Sequence, residues 1–327
     1  MDPMTRRRAL GLMAGACGLL AAPALALGPA ETGGTAFGTY WRVLTPGRAS
    51  LVGQQARAVF DAIDREMSPW RANSDLSRIN GWAAGDPFPM QPEFARVTAA
   101  ALEMAAASGG AFDPTVGPLV ARHGFGPING DPNAIWRDLR IEAGQLIKTR
   151  AGVTLDLCGI AKGHAIDALA HRLDAAGLTD WLIDLGGETR ARGQHPSGRS
   201  WAMAVARPFA PDGEALAALR LEDEAIATSG PGEQSYQVGA ARIGHLIDPA
   251  TGAPVARGAS SVTVIAPTAM RADALATALA AMAPGRAATW ARARGIAAMV
   301  VATDERGAER IVTTGDFATR RIDGGRA

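Results

Sequence analysis

The segment VTLDLCGIAKGHAIDALAHRLDAAG, residues 153–177, decides the fold. A strand is predicted at Val153 to Leu157. Two glycines then open a tight turn, and a helix follows in which apolar residues recur at helical spacing up to Gly177. The segment therefore predicts a strand, a turn and a helix whose N-terminal N–H groups could bind phosphate.

On both sides of this segment, strands and helices are mixed without a regular alternation. A strand is predicted at 35–44, followed by two amphipathic helices, the second ending at Gly109-Gly110. Helices are also predicted near 272–283 and 286–294. Further strands are predicted at 181–185, 201–206, 236–243, 261–266, 298–302 and 309–314. The pattern favours an α+β fold of mixed sheets with packed helices over a doubly wound sheet.

Bulk composition is that of an ordinary globular protein. Of 327 residues, 47% are hydrophobic and 20% charged, which suits one large domain or two modest ones. The net charge of +1 gives no indication of a nucleic-acid partner.

The N-terminus has the layout of an export signal. Arg6 to Arg8 precede an uncharged run from Ala9 to Leu27, and Ala24 to Ala26 offer an A-x-A cleavage site. We expect residues 1–26 to be a twin-arginine signal peptide and residues 27–327 to form the mature, periplasmic domain. A retained signal would instead attach the chain to the inner membrane, and a lipoprotein would use Cys17. After cleavage Cys158 is the remaining cysteine, so no internal disulfide is expected.

Two glycine turns could hold a ligand. In the quoted segment, Asp156 supplies a carboxylate and Lys162 a cation beside the helix N-terminus. The second turn, Asp184-Leu-Gly-Gly-Glu188, follows a predicted strand and would let the backbone approach a ligand closely. Each turn could equally be structural.

Two further segments carry candidate chemical groups. His245 lies between apolar residues close to Asp248, where a structural histidine is the alternative. Asp273 and Thr277 are four residues apart on a predicted helix, on the side opposite its apolar face. A carboxylate and a hydroxyl one turn apart could ligate a hard cation such as Mg²⁺, although a solvated polar face would look the same.

In their order and their amino-acid sequences, these segments resemble the ApbE family of FAD:protein FMN transferases, over residues from about 35 to 314. The matching blocks are SPWRANSDLSRIN (68–80), GGAFDPTVGPLV (109–120), DLCGIAKGHAID (156–167), LIDLGGE (182–188), IATSG (226–230), HLIDPATGAPV (245–255) and SVTVIAPTAMRADALATAL (261–279). The resemblance implies a T-fold-like ApbE architecture. It also implies Mg²⁺-dependent transfer of FMN from FAD to a threonine or serine hydroxyl of a redox protein, with release of AMP.

The resemblance also implies site residues. His245 would assist catalysis, and Mg²⁺ would be held by the carbonyl of Gly159 with the side chains of Asp273 and Thr277. The residues that would contact FAD are Phe37, Trp70, Ala111, Phe112, Asp113, Asp156, Lys162 and Ile247. Phe37 departs from the methionine that family members commonly have near the flavin.

Rival functions use the same site differently. An FAD pyrophosphatase would use water in place of the acceptor hydroxyl, and a periplasmic FAD-binding protein would have no turnover. The resemblance points to an acceptor among the flavin subunits of membrane redox complexes, NosR-, Nqr- or Rnf-like. The twin-arginine signal is similar to that of the NosX-like branch.

Overall fold

The computed structural model describes residues 28–210, 214–231, 234–239, 241–255, 260–303 and 308–322. The predicted signal peptide, residues 1–26, lies outside the described residues. Within the described ranges, no helix is both long and apolar enough to cross a membrane.

The helices of the described chain fall into two groups along the sequence. They are α1 (Ala49–Met67), α2 (Asp75–Asn80), α3 (Pro92–Ser108), α4 (Gly117–Arg122), α5 (Ala161–Ala175), α6 (Ala269–Ala280) and α7 (Pro284–Ala293).

The strands lie before, between and after these helices. They are β1 (Ala30–Ala36), β2 (Thr39–Thr45), β3 (Phe88–Pro89), β4 (Leu139–Glu142), β5 (Gln145–Lys148), β6 (Trp181–Leu185), β7 (Glu188–Arg192), β8 (Trp201–Ala206), β9 (Ala215–Leu221), β10 (Ala225–Ser229), β11 (Ser235–Val238), β12 (Ala241–Gly244), β13 (Ile247–Asp248), β14 (Ala253–Pro254), β15 (Ser261–Ala266), β16 (Ala297–Thr303) and β17 (Glu309–Thr314).

An eight-stranded antiparallel sheet forms the centre of the fold, in the order β1-β2-β6-β7-β10-β15-β16-β17. Alternate residues of its strands face opposite sides. On one side, Ile183 and Val264 pack in a core shared with α1, α5 and α6. On the other side, Leu182 and Ile265 pack against the β8–β9 hairpin. Helices on one face and a hairpin on the other make an α+β fold, so that prediction is confirmed.

Three predicted strands differ from the structure. The strand predicted at 35–44 is two strands, because Phe37 (φ 52°) and Gly38 (φ 73°) form a tight hairpin turn between β1 and β2. The strand predicted at 236–243 is likewise a hairpin, β11–β12. The strand predicted at 153–157 is extended chain outside any sheet.

The extended chain at 153–157 has a different hydrogen-bond partner. Both ends of the Asn80 side-chain amide bind Leu155: Nδ2 donates to its carbonyl at 2.9 Å, and Oδ1 accepts from its N–H at 2.7 Å. A side chain here replaces a neighbouring strand, and it satisfies backbone groups that would otherwise be buried without partners. The segment is thereby fixed just before the turn that leads into α5.

Candidate active site

Helices α5 and α6 approach each other unusually closely at Gly163. A Cβ atom at position 163 would lie 2.3 Å from the carbonyl oxygen of Ala269, so only glycine fits without displacing the backbone. The N–H of Gly163 donates to Oδ2 of Asp273 at 2.9 Å. The close approach therefore brings the start of α5 against the first turns of α6.

Oxygen atoms from three segments meet beside this contact. The hydroxyl of Thr277 lies 3.4 Å from the carbonyl oxygen of Gly159 and 3.4 Å from the hydroxyl of Ser229. A Cβ at position 159 would lie 2.9 Å from Thr277 Cγ2 and 3.1 Å from the ring of Phe112. The absence of a side chain at Gly159 thus allows its carbonyl to approach Thr277.

These atoms suit a hard cation. Gly159, Asp273 and Thr277 offer a carbonyl, a carboxylate and a hydroxyl, all of them oxygen donors of the kind that Mg²⁺ prefers. The 3.4 Å separation between the Gly159 carbonyl and the Thr277 hydroxyl is long for a hydrogen bond, so these oxygens are available to another partner. The residues present fit the predicted metal site.

Asp273 is more deeply buried than the sequence suggested. The helical spacing places it opposite the apolar face of α6, but this opposite face packs against α5, and Asp273 is 2% exposed. Helix α6 is covered on most sides, with buried residues around its circumference. The alternative of a solvated polar face therefore does not hold for Asp273, because this face meets another helix rather than water.

The loop after α3 meets the turn before α5. The N–H of Asp156 donates to the carbonyl of Pro114 at 2.7 Å, which joins the two segments. The Asp113 carboxylate accepts hydrogen bonds from the N–H and hydroxyl of Thr115 and from the N–H of Trp136. Asp156 Oδ1 accepts from the N–H of Cys158 at 2.8 Å. Both carboxylates thus hold their own loops in shape beside Ala111 and Phe112.

Burial acts on both of these carboxylates. Desolvation raises the pKa of Asp113, against the opposing effect of its hydrogen bonds from Thr115 and Trp136. Desolvation also raises the pKa of Asp156, opposed by the bond from Cys158. Burial therefore disfavours the charged form of both carboxylates.

Lys162 lies in the first turn of α5 and forms an ion pair with Glu188 of β7. Its side chain is 22% exposed, whereas that of Glu188 is 3% exposed. The N-terminal end of a helix carries partial positive charge and disfavours a lysine. The ion pair with the buried Glu188 therefore holds a cation at the start of α5.

The turn after β6 connects this ion pair to the β1–β2 turn. A Cβ at Gly186 would lie 2.7 Å from the side chain of Thr39, two residues after Phe37. The ring of Phe37 packs edge-on against Phe60 at 6.1 Å, and it lines an open cavity of about 580 Å³ with Arg57 and Arg71. The turn after β6 thus packs against the β1–β2 hairpin, whose Phe37 lines this cavity.

Trp70 lies next to Arg71 of that cavity and is 70% exposed. An indole this exposed has a face available for stacking on a planar ligand. Ser74 holds the loop that carries Trp70 in place. Its side chain caps α2, and its hydroxyl donates to the carbonyl of Ser68 at 2.7 Å. The predicted contact of Trp70 with the flavin or adenine stays a prediction.

His245 and Ile247 follow the β11–β12 hairpin. The His245 ring packs edge-on against Phe125 at 6.3 Å, and its Nδ1 lies 3.3 Å from the carbonyl of Gln234. Ile247 is buried, at 4% exposure. Neither contact joins His245 to the oxygen cluster around Thr277, so its predicted catalytic role stays a prediction.

The sequence reasoning missed two residues of this region. Ser229 belongs to the Thr-Ser-Gly segment, but nothing in the sequence places its hydroxyl beside Thr277. Glu188 was noted only as the end of a glycine turn, yet it is the carboxylate that holds Lys162. The alternation of side-chain direction along β7 could have indicated that Glu188 faces inward. It could not have shown that Lys162 is the residue with which Glu188 pairs.

Known proteins resemble this chain over most of its length. The model of the ApbE family matches residues 37–300. An FAD:protein FMN transferase of Klebsiella pneumoniae is 32% identical, over 90% of this chain and 92% of that protein. One from Escherichia coli is 31% identical, over 82% of each chain.

Solved structures match the fold. The flavin transferase ApbE from Vibrio cholerae superposes with a TM-score of 0.79 at 28% identity, covering 89% of this chain and 98% of that one. The ApbE protein from Thermotoga maritima superposes with a TM-score of 0.79 at 26% identity, covering 90% of this chain and all of that one, at 100%.

Proposed function

The chain belongs to the ApbE family, and we propose that it uses Mg²⁺ to transfer FMN from FAD to a threonine or serine hydroxyl of a partner redox protein. It is an FAD:protein FMN transferase, like the relatives that it matches over most of their length. FAD is therefore a substrate. The products are AMP and an acceptor that carries FMN through a phosphoester bond.

The oxygen cluster supports the metal part of this proposal. The Gly159 carbonyl, the Asp273 carboxylate and the Thr277 hydroxyl would hold Mg²⁺. When bound, Mg²⁺ would neutralise charge on the pyrophosphate of FAD and on the departing AMP.

Lys162 and the start of α5 would bind the pyrophosphate. The N-terminal end of α5 carries partial positive charge, and the Lys162 ammonium adds a full charge. Glu188 holds this ammonium in place, so that it need not be ordered when FAD binds. Phe37 and Trp70 would contact the flavin or adenine, and the segment from Ala111 to Asp113 would line the same site.

The reaction exchanges a phosphoanhydride bond for a phosphoester bond. The acceptor oxygen bonds to the phosphorus of the FMN half, and the bond from that phosphorus to the bridging oxygen breaks, with the electron pair leaving on AMP. The hydroxyl proton must go to a base, and we propose His245 for this role. Its half-buried ring at the end of a hairpin is accessible to a protein segment.

One observation carries the proposal: the carbonyl of Gly159 lies 3.4 Å from the hydroxyl of Thr277. Gly159 is also three residues before the cation Lys162 in the chain. The test is to incubate the purified protein with FAD, Mg²⁺ and a candidate acceptor, and to measure the intact mass of the acceptor. We expect a gain of one FMN, lost when the metal is chelated. The absence of any gain with every flavin-subunit acceptor, while FAD is split into FMN and AMP, would indicate a pyrophosphatase.

We propose export to the periplasm for the same chain. The support is the Arg6 to Arg8 cluster before the uncharged run, in the layout of a twin-arginine signal. The acceptor would then be a flavin subunit of a membrane redox complex, NosR-, Nqr- or Rnf-like.

A further inference from the structure

Strand β7 and helix α5 are joined by three ion pairs. Alternate residues of β7 face the helix, so that Glu188 pairs with Lys162, Arg190 with Asp167 at 2.6 Å, and Arg192 with Asp174 at 2.7 Å. The pairs become more exposed towards the end of α5: the Asp167 side chain is 6% exposed and that of Asp174 is 30% exposed.

The middle pair does more than join β7 to α5. Oδ1 of Asp167 accepts the N–H of Ala269 at 2.9 Å, and Oδ2 accepts the N–H of Met270 at 2.9 Å. Both N–H groups belong to the first turn of α6, where helices have donors without intrahelical partners. A carboxylate on α5 thus caps α6, and Arg190 orients that carboxylate from the sheet.

A second carboxylate makes the reciprocal contact. Asp273 of α6 accepts the N–H of Gly163 in the first turns of α5. Each helix therefore receives a buried carboxylate from the other, and the close approach at Gly163 leaves no room for sliding. The axial position of α6 relative to α5 is fixed at both contacts.

We infer that Asp167 is a positioning residue for the metal site: by capping α6 at Ala269 and Met270, it sets the axial position at which Asp273 and Thr277 face Gly159. Asp273 lies one turn beyond Ala269, and Thr277 one turn further. Because a helix moves as a rigid rod over this length, a shift at its first turn moves both ligands. The inference rests on the proposed function, since it takes these residues as the Mg²⁺ ligands.

The test measures metal binding directly. Mn²⁺ binding to the full chain, with FAD present, is followed by the loss of the electron paramagnetic resonance signal of free Mn²⁺. Asp167→Asn keeps the size of the side chain but removes the charge that binds both N–H groups and Arg190. We expect the Mn²⁺ Kd to rise by about 10- to 100-fold, the usual scale for residues that orient metal ligands. Saturating Mg²⁺ should restore most of the FMN transfer rate.

Two variants separate positioning from stability. Asp174→Asn removes the neighbouring ion pair between the same strand and helix, and it should leave the Mn²⁺ Kd unchanged. Thr268→Ala removes the other cap of α6, the bond from the Arg271 N–H. It should lower the thermal stability without changing the Kd. If Thr268→Ala and Asp167→Asn raised the Kd in proportion to their loss of stability, Asp167 would only stabilise the fold and the inference would be overturned.

Asp273→Asn distinguishes the inference from its premise. If this variant bound Mn²⁺ like the wild type, the proposed metal site would be wrong and the inference would fall with it. If Asp273→Asn lost Mn²⁺ but Asp167→Asn bound it normally, only the inference would fail. Should Asp167→Asn not fold, Asp167→Glu takes its place. It lengthens the side chain by one methylene group, so that the carboxylate cannot cap Ala269 and Met270 at the same axial position. The Mn²⁺ Kd should rise by about 10-fold or more, whereas an unchanged Kd would overturn the inference.

Discussion

Replacing Asp273 with asparagine should abolish most magnesium-dependent FMN transfer and leave the fold in place. Asparagine keeps the side-chain size and one oxygen that can accept the Gly163 N–H, which is 2.9 Å from the carboxylate. It removes the only charged ligand assigned to the cation. A bound metal contributes several kcal/mol to stabilising charge in phosphoryl transfer. A loss of about 3–4 kcal/mol corresponds to a rate lower by roughly 10²- to 10³-fold.

Alanine at the same position should behave differently. It leaves the buried Gly163 N–H without the carboxylate oxygen, which costs about 1–3 kcal/mol. The melting temperature should therefore fall by several degrees in Asp273→Ala and remain close to the wild-type value in Asp273→Asn. Both should lose transfer, so the pair separates the structural bond from the metal ligand.

The assay follows the intact mass of an acceptor over time, at a series of Mg²⁺ concentrations, beside a thermal melt of each variant. The reasoning would be refuted if Asp273→Asn transferred FMN at the wild-type rate with the wild-type Mg²⁺ dependence. It would also be refuted if the two variants lost stability equally, because the Gly163 bond would then not distinguish them.

His245→Ala should bind FAD like the wild type in a titration yet flavinylate the acceptor about 10²- to 10⁴-fold more slowly; a parallel loss of affinity and rate would remove it from the mechanism. Replacing Lys162 by methionine together with Glu188 by glutamine should weaken FAD binding about tenfold or more, measured by fluorescence, and an unchanged Kd would contradict the pyrophosphate contact. Burial, with Arg96 beside it, lowers the pKa of His164 to about 4, so the unfolded chain takes up the proton first. This histidine should therefore not lower the free energy of unfolding above about pH 6.5, but should lower it by up to about 3 kcal/mol as the pH drops towards 4. Denaturant melts of His164→Gln should lack this pH-dependent loss. Changing Arg6-Arg7 to Lys-Lys should leave precursor in the cytoplasm, and normal export on fractionation would reject the twin-arginine route.

Local patterns predicted the helices well. The apolar spacing from Ala56 to Met67 predicts α1, and the spacing around Leu275 predicts α6, because both depend on neighbours within one or two turns. The same spacing placed Asp273 and Thr277 on one side of a helix. Helical periodicity shows which side chains lie together, but it does not show whether that side meets water or another helix.

Contacts between distant segments were beyond such patterns. The bond from Ala269 to Asp167 spans 102 residues, and the bond from Asn80 to Leu155 spans 75. In both cases a polar side chain replaces the backbone group that would normally be the hydrogen-bond partner. The spacing of apolar residues in the sequence therefore does not indicate this bond. The strand predicted at 153–157 failed for this reason: its composition is that of a strand, but its partner is an amide side chain.

The order of charges between β7 and α5 distinguishes the part of this interface that stabilises the fold from the part that we propose binds substrate. Asp167 caps α6, so its negative charge meets the N–H groups that favour it. Lys162 is in the opposite situation: a positive charge lies at the positive end of its own helix, and this arrangement costs stability. Glu188 offsets that cost, and the lysine side chain remains 22% exposed. A lysine retained at the positive end of a helix is expected where an anion binds, and the proposed metal ligand Gly159 lies three residues before it. A fold selected for stability alone would place an acidic residue at the start of α5, and the described structure has none in that first turn.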